Sequence, residues 1–243
     1  DEHNVSLTKG FYLGKYEVTQ AQYEAVMTGN TDSLSATPSQ WPNNPNRPVE
    51  KVSWADAQIF LTRLNAQHSA NIPAGWAYVL PTESQWEYAC RAGTTTAYSW
   101  GTTIASSNAN WNHGADPNQT VDVGQFSANP WGFFDMHGNV WEWTADWYQA
   151  AYPTGNPVAD PSGPASGSHR VLRGGSWDHD GTLLRSAKRR NYPPATIATT
   201  LASVLVSNSS SKGREEAEFN GCAVPVRESS GLPRRVSRKP FSQ

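Results

Sequence analysis

Eleven tryptophans lie in a chain of 243 residues that is otherwise rich in glycine, proline, asparagine and serine. A buried aromatic side chain removes roughly 150 to 250 Å² of surface from water, so a few indoles can anchor long stretches of irregular backbone. Three segments carry turn-forming residues without a helical or strand period: Gly29–Pro48, Gly101–Pro130 and Ala151–Ser168. The pattern predicts a domain in which ordered loops pack around large aromatic side chains.

The charge balance and the apolar pattern argue against two classes of partner. The formal net charge is −2, which gives no overall attraction to nucleic acid. No window approaches the roughly 20 apolar residues that a membrane-spanning helix needs, and the first residues lack the basic start and apolar core of a signal peptide. We therefore expect a soluble protein without nucleic-acid or membrane partners, either cytoplasmic or exported with its signal peptide removed.

Local signals predict one early strand and three helices. Phe11–Val18 is aromatic and β-branched between turn residues, which indicates a strand. Each predicted helix begins with a capping box, in which a Ser or Thr side chain accepts from the backbone N–H three residues later and the residue there reaches back. The three pairs are Thr19 with Gln22, Ser53 with Asp56, and Thr82 with Gln85. Cys90 falls on the apolar face of the third helix, where we expect it to be buried.

Five sequence blocks resemble the signatures of the sulfatase-modifying-factor family, which includes the formylglycine-generating enzymes, and they occur in the family order. The blocks are Gly14–Thr19, Pro48–Val49 with Val52–Trp54, Leu80–Ala89, Gly138–Trp143 and Arg173–Trp177. The resemblance covers residues 10–206 and leaves 207–243 as a polar, basic C-terminal extension. It implies a single compact α+β domain of the C-type-lectin-like fold, with an antiparallel sheet, a few helices, long packed loops and little regular secondary structure.

The cysteine content departs from the family's chemistry. Formylglycine-generating enzymes oxidise a target cysteine with two cysteines of their own, which follow a Gly-Gly-Ser-aromatic block and bind copper(I), an ion that prefers thiolate ligands. Here Asp178–Leu184 follows that block, and no cysteine lies between Cys90 and Cys222. We therefore expect no copper and no formylglycine generation from this non-canonical member.

A hydrolase is the enzymatic alternative, because Ser176, Asp178 and His179 crowd one short stretch. Catalytic triads are recognised by geometry and not by residue order. The Gly174–Trp177 segment is not the Gly-x-Ser-x-Gly elbow of esterases. The competing interpretation of Ser176 is a buried residue of a family turn.

The resemblance also implies calcium sites, since calcium prefers six to eight oxygen ligands from carboxylates and backbone carbonyls. The first site would use the side chains of Asp135 and Glu142 and the backbone carbonyls of Gly138 and Val140. A carboxylate that caps the turn or pairs with a basic residue, with no metal, is the alternative for Glu142. A second, weaker site would use Asn110, Trp111 and Asp116.

Residues 178–200 have neither a helical nor a strand period, which is typical of a solvent-facing loop. By resemblance, this is the ligand-binding face of the C-type-lectin-like fold and the region that is diversified in retroelement-encoded variable proteins. We expect a small-molecule or protein ligand at this surface, because guanidinium groups match carboxylates and stack on aromatic rings. The predicted ligand-binding residues are Trp177, Asp178, His179, Asp180, Arg185, Arg189, Arg190 and Tyr192.

Three functions therefore remain open from the sequence. The preferred one is a ligand-binding or scaffold protein that reuses the fold. The others are a hydrolase of esterase or phospholipase type, with Ser176, Asp178 and His179 as candidate catalytic residues, and a retroelement-diversified variable protein. After the loop, Leu201–Val206 is predicted to form the last strand of the domain.

Overall fold

The computed structural model describes residues 3–114, 118–152 and 157–197, together with the strand segments 205–208, 223–226 and 235–236. The helices in this part of the chain are α1 (Gln20–Met27), α2 (Trp54–Gln67) and α3 (Glu83–Arg91). A 3₁₀ helix covers Gly181–Leu184. The strands are β1 (His3–Ser6), β2 (Phe11–Gly14), β3 (Trp76–Val79), β4 (Glu142–Trp147), β5 (Val158–Ala159), β6 (Arg170–Arg173), β7 (Arg190–Tyr192), β8 (Leu205–Asn208), β9 (Ala223–Val226) and β10 (Arg235–Val236). Short elements joined by long loops confirm the predicted α+β class.

All three predicted capping boxes are present, and each helix begins where its box places it. The side chains of Thr19, Ser53 and Thr82 each accept from the backbone N–H three residues later. The side chain of that later residue in turn accepts from the backbone N–H of the Thr or Ser. These bonds satisfy N–H groups that the first helical turn otherwise leaves unpaired. The helix predictions are confirmed.

The strands form three small sheets. The largest is antiparallel in the order β3-β8-β2-β9, and a second antiparallel sheet has the order β4-β6-β7. The third has the order β10-β1-β5, and its β1–β5 pair is parallel. The β4-β6-β7 sheet is the one that positions the candidate site, because the segment between β6 and β7 carries most of the predicted ligand-binding residues.

The first predicted strand is shorter than the sequence suggested. β2 ends at Gly14, whereas the prediction extended to Val18. Beyond it, the carboxylate of the buried Glu17 accepts hydrogen bonds from Asn139 Nδ2 at 2.7 Å and from Val140 N at 3.1 Å. The side chain thus ties this segment to a distant loop, and the backbone leaves the sheet.

The C-terminal segments pair with the start of the chain. β8, near the predicted last strand, lies between β2 and β3, while residues 201–204 fall outside the described residues. Two segments of the 207–243 region also form strands: β9 pairs with β2, and β10 pairs with β1. The division of the chain at residue 206 stays a prediction.

Tryptophans and one buried ion network hold the core. Trp86 and Trp143 are fully buried, Trp141 nearly so, and Trp143 Nε1 donates to Val52 O at 3.1 Å. The guanidinium of Arg173, also fully buried, pairs with Glu83 and Glu87 on α3. Because these charges are paired, the network joins α3 to β6 without an isolated buried charge.

Candidate ligand-binding site

The turn after β6 sets the geometry of the site, and it requires glycine. Gly174 and Gly175 have φ values of +94° and +82°, in the left-handed region. A Cβ on Gly175 would lie 2.6 Å from Leu184 Cδ1 and 3.1 Å from Leu183 O. The turn therefore packs directly on the 3₁₀ helix, and it delivers Ser176 into the interior and the next residues to the surface.

Ser176, Asp178 and His179 form a triangle and not a relay. Ser176 Oγ lies 2.6 Å from Asp178 Oδ1 and 2.7 Å from His179 Nδ1, and that same Nδ1 lies 2.6 Å from Asp178 Oδ1. A Ser-His-Asp triad instead uses one imidazole nitrogen for the serine and the other for the carboxylate. Ser176 is also fully buried, so its hydroxyl supports the turn.

The second imidazole nitrogen of His179 is occupied by Arg190. Arg190 Nη1 lies 2.5 Å from His179 Nε2. A guanidinium only donates, so Nε2 accepts and the proton of the neutral ring is on Nδ1. Because Nδ1, the nitrogen that faces Ser176 Oγ, carries the proton, His179 cannot act as a general base towards this hydroxyl.

Aromatic rings frame this pair. The imidazole of His179 meets the ring of Trp141 edge-on at 5.5 Å. The guanidinium of Arg190 lies 5.7 Å from the Trp141 ring centroid and 5.0 Å from that of Tyr192, within the range of cation–π attraction. Half-burial acts to raise the pKa of Asp178, but hydrogen bonds from His179 and Ser176 outweigh it and lower that pKa.

Trp177 extends the same surface towards a loop that the sequence did not single out. Its indole meets the ring of Trp41 edge-on at 5.1 Å. The Trp41 loop is held by Glu50, whose Oε1 accepts from the backbone N–H groups of Gln40 and Trp41, and by Gln20 Nε2, which donates to Trp41 O at 3.1 Å. Trp41 and Glu50 are not among the residues predicted from the sequence. The available signals were an aromatic residue inside a polar loop and an acidic residue directly after the Pro48–Val49 block.

Arg189 does not belong to this surface. It pairs with Glu83, donates to Gln149 O at 2.9 Å, and lies over the rings of Tyr148 and Tyr152 at 4.8 and 4.5 Å. Successive side chains of an extended strand point to opposite faces. The side chains of Arg189, directly before β7, and Arg190, its first residue, therefore lie on opposite faces of the chain.

Asp180 and Arg185 lie at the two ends of the 3₁₀ helix. Asp180 Oδ1 accepts from Thr182 N at 2.9 Å, which caps the helix, and Arg185 Nε donates to Thr182 O at 2.9 Å. The structure thus brings together Asp178, His179, Arg190 and Tyr192, with Trp177 directly before them in the turn. Arg189 lies elsewhere, and Asp180 and Arg185 bond to the 3₁₀ helix. Thr200, the last residue of the predicted surface, lies outside the described residues.

The predicted calcium loop is buried and acidic. Asp135, Glu142 and Glu17 are each less than one tenth exposed. Burial raises the pKa of Glu17 well above its usual range, and the nearby carboxylates of Asp135 and Glu142 raise it further, against hydrogen bonds from Val140 and Asn139 that lower it. Burial also raises the pKa of Asp135 to about 6, against a hydrogen bond from Gly124 N that lowers it.

The loop offers carbonyls as well as carboxylates. Among the described residues, no backbone N–H donates to the carbonyl of Gly138 or Val140. No three His, Cys, Asp or Glu side chains in that part of the chain are grouped to hold a metal ion. A calcium ion here would therefore depend on two carboxylates combined with carbonyl oxygens, a donor set that this ion accepts.

The second calcium site stays a prediction, because the contacts of Asn110 and Trp111 use atoms other than the Asn110 side-chain oxygen and the Trp111 carbonyl that would bind the ion. Asn110 Nδ2 donates to Gln119 O at 2.9 Å and to Asn139 Oδ1 at 3.1 Å. The Asn110 carbonyl accepts from Asn139 N at 2.9 Å, and Trp111 Nε1 donates to Ala105 O at 3.2 Å. Asp116 lies outside the described residues.

The one cysteine that the structure describes is buried in the core. Cys90 Sγ lies 3.7 Å from Met136 O and 3.5 Å from His137 Nε2. Burial raises the pKa of this thiol to about 12, so it stays protonated at neutral pH. Cys222 lies outside the described residues. Within the part of the chain that the structure covers, no helix has both the length and the apolar character to cross a membrane.

Comparisons with known proteins agree with the fold. Residues 1–202 match the family described as "Sulfatase-modifying factor enzyme 1-like domain". The formylglycine-generating enzyme of Streptomyces coelicolor is 35% identical over 171 residues, which cover 63% of this chain and 50% of that protein. The chaperone protein LppX of Paenibacillus barcinonensis is 30% identical over 224 residues, which cover 72% of each protein.

The solved structure of Treponema denticola variable protein 1 resembles this chain with a TM-score of 0.71 and 28% identity, and the match covers 85% of this chain and 87% of that one. The chain spans about half the length of the bacterial formylglycine-generating enzymes that it matches. Because the family match spans most of the chain and the fold agrees, the chain belongs to the sulfatase-modifying factor enzyme 1-like domain family.

Proposed function

We propose that this protein is a ligand-binding module of the sulfatase-modifying-factor fold and not a formylglycine-generating oxidase. The carrying observation is the convergence of Asp178, His179, Arg190 and Tyr192 beside Trp141, directly after Trp177 and the Gly-Gly-Ser turn. Rings, a cation and a half-exposed carboxylate in one place suit recognition of a polar ligand. The relatives are described as an enzyme, a chaperone and a variable protein, which supports the idea that one domain serves several roles.

The case against the oxidase rests on ligand chemistry. Copper(I) needs soft thiolate ligands, and the segment after the turn supplies carboxylates, one imidazole and apolar side chains. The buried Cys90 remains a thiol, and it lies on the core-facing side of helix α3. A single thiol in that position does not replace a pair of thiolates in the catalytic segment.

One incubation tests this part of the proposal. The 243-residue chain is mixed with a Cys-containing sulfatase-motif peptide, with and without copper, and the peptide mass is measured. We expect no change, and a copper-dependent conversion of the thiol to an aldehyde would overturn the proposal. The S. coelicolor formylglycine-generating enzyme serves as the positive control.

A hydrolase is the second candidate, because Ser176, His179 and Asp178 are in contact. Their arrangement argues against base catalysis, since Ser176 and Asp178 converge on one nitrogen and Arg190 occupies the other. We expect no turnover of esterase, phospholipase or peptidase substrates. Turnover that is lost in Ser176→Ala and kept in an exposed control such as Ser69→Ala would establish the hydrolase instead.

Calcium is proposed as a structural ion at Asp135 and Glu142, with the carbonyls of Gly138 and Val140. The raised pKa of Glu17, caused by burial and then by these two carboxylates, supports the proposal because a divalent cation would offset their mutual repulsion. The ion would fix the loop that carries Asn139, whose carbonyl accepts from Trp177 N at 3.0 Å. Calcium would thus stabilise the binding face without contacting the ligand.

Retroelement-driven diversification of residues 178–200 is a narrower version of the binding proposal. The similarity to T. denticola variable protein 1 supports it at the level of the fold. Sequencing many copies of the gene from one culture tests it: substitutions concentrated at adenine positions of these codons are expected. An even spread of rare changes along the gene would rule the narrower version out.

A further inference from the structure

Arg190 has donor capacity beyond its contact with His179, and two indole N–H groups of the proposed site have no acceptor. Among the described residues, Arg190 forms no ion pair with a carboxylate, and its contact is with the neutral His179 imidazole. The indole N–H groups of Trp177 and Trp141 are buried and have no acceptor. The Arg190 guanidinium lies 5.7 Å from the Trp141 ring centroid, and Trp177 directly precedes Asp178 in the turn.

Several other arginines and tryptophans of the described residues donate to oxygen atoms, and Arg47, Arg63, Arg170 and Arg185 donate to neutral ones. Arg91, Arg173 and Arg189 each pair with a glutamate. The indoles of four other tryptophans donate to backbone carbonyls: Trp54, Trp100, Trp111 and Trp143. Trp86 Nε1 also lacks an acceptor, but its ring is fully buried in the core next to Arg173.

The acid nearest to these donors is already engaged. Asp178 Oδ1 is within hydrogen-bond distance of both Ser176 Oγ and His179 Nδ1. The imidazole stands between this carboxylate and Arg190, with one nitrogen towards each. The guanidinium therefore keeps donor capacity on the side away from His179.

We propose that the ligand is recognised through an oxyanion, a carboxylate or a phosphate, which Arg190 binds as the charged contact. This inference rests on the proposed ligand-binding function and names the chemistry of its ligand. A planar guanidinium matches two oxygens of either group. The guanidinium lies 5.7 Å from the ring centroid of Trp141 and 5.0 Å from that of Tyr192, and the N–H of Trp177, which has no acceptor, would be the neutral donor to the ligand.

Binding also changes the surroundings of the indoles. Because both indole nitrogens are covered in this structure, an oxygen reaches the Trp177 N–H only when that half-buried ring shifts against Trp41. Ligand entry therefore alters the environment of Trp177 and of Trp41 together. Simultaneous changes at Trp177 and Trp41 therefore distinguish binding at this site from non-specific attraction of anions to the protein surface.

The test is a titration of the ¹⁵N-labelled 243-residue chain, followed through its indole N–H resonances. The probes are glutarate and inorganic phosphate, with sodium chloride at matched ionic strength as the control. Trp177→Phe, Trp141→Phe and Trp41→Phe assign the three resonances. We expect glutarate or phosphate to shift the Trp177 and Trp41 signals saturably, and the probe that saturates at lower concentration identifies the source of the oxyanion.

Variants at two basic residues make the test specific. Arg190→Gln is expected to raise the dissociation constant at least about tenfold, because a charge-assisted contact is lost. Lys9→Gln, which removes the same charge at an exposed residue near β2, is expected to leave it within about twofold. If Arg190→Gln does not fold, the comparison of the wild type in glutarate or phosphate with the wild type in chloride still tests the inference.

The outcomes separate the two proposals. If neither anion moves these signals beyond the chloride control, or if Arg190→Gln responds like the wild type, the oxyanion inference is wrong. A library of neutral small molecules is then titrated on the same resonances. Saturable shifts with a neutral compound keep the binding proposal and reject the oxyanion, whereas no response to either set contradicts both.

Discussion

The guanidinium of Arg190 lies 2.5 Å from the imidazole Nε2 of His179, and both groups rest against the ring of Trp141. The contact joins strand β7 to the turn after β6, eleven residues earlier. It also fixes the proton of the neutral imidazole on Nδ1, and this N–H donates a hydrogen bond to Asp178 Oδ1. One hydrogen bond thus sets the positions of a cation, a ring and a carboxylate on the proposed ligand-binding face.

Gly175→Ala is expected to disrupt this face. A Cβ there meets Leu184 Cδ1 at 2.6 Å, and the φ of +82° is strained for alanine. Gly29→Ala is the matched control, since Gly29 has a φ of +68° but nothing within 4 Å of the added atom. Urea unfolding should show a loss of about 1 kcal/mol for the control and roughly 1 to 3 kcal/mol more for Gly175→Ala. Equal losses would mean that the turn does not pack on Leu184.

Arg173→Met is expected to cost roughly 1 to 3 kcal/mol of unfolding free energy, because it removes the buried cation that Glu83 and Glu87 share and leaves each carboxylate with one arginine, Arg189 and Arg91 respectively. The double variant Arg173→Met with Glu87→Gln should be less stable still, since Glu87 is also the partner of the buried Arg91. Lys9→Met, at an exposed position, should stay within about 0.5 kcal/mol of the wild type. Urea denaturation of the four proteins checks the expectation, and a double variant more stable than Arg173→Met would contradict it.

Asp146 should make stability fall as the pH rises. Burial raises the pKa of this carboxyl to about 7, with Glu83 adding to the shift and the Glu83 N–H and nearby arginines opposing it. A folded-state pKa above the unfolded value means that the folded chain holds the proton more tightly, so this contribution is full below pH ~4 and lost as the pH rises through about 7.

Asp146→Asn should therefore be more stable than the wild type at pH 8 by roughly 1 to 4 kcal/mol, with little difference at pH 4. The asparagine oxygen still accepts from Glu83 N, as Asp146 Oδ2 does at 2.7 Å. Urea unfolding at the two pH values measures the change, and Asp32→Asn at an exposed site is the control. A variant that is no more stable than wild type at pH 8 would show that Asp146 is ionised without cost in the folded chain.

Calcium should stabilise the wild type if Asp135 and Glu142 bind it. A free concentration about 100-fold above the dissociation constant adds about 2.7 kcal/mol, and a chelator removes that gain. Glu142→Gln should abolish the calcium-dependent rise in melting temperature, while Asp32→Asn keeps it. A wild-type melting temperature that is unchanged by calcium and by chelator would reject the site, and the loop would then be stabilised by its hydrogen bonds alone.

Features encoded within a few residues were predictable from the sequence. The three helix starts depend on side chains three positions apart, so the capping boxes fixed them without reference to the rest of the chain. The burial of Cys90 followed in the same way from the apolar face of α3. The family blocks supplied the fold class, which the comparisons confirm.

Features that depend on distant partners were decided only by the tertiary structure. β2 stops at Gly14, and beyond it Glu17 accepts hydrogen bonds from a loop more than 120 residues away. Arg189 and Arg190 looked equivalent as neighbours in a basic run, yet the strand directs one to Glu83 and the other to His179. Trp41 lies beside Trp177 because Glu50 and Gln20 hold its loop there. Hydrogen bonds and ion pairs between residues far apart in sequence leave no periodic pattern, so the chain specifies the parts of this site locally and assembles them only by folding.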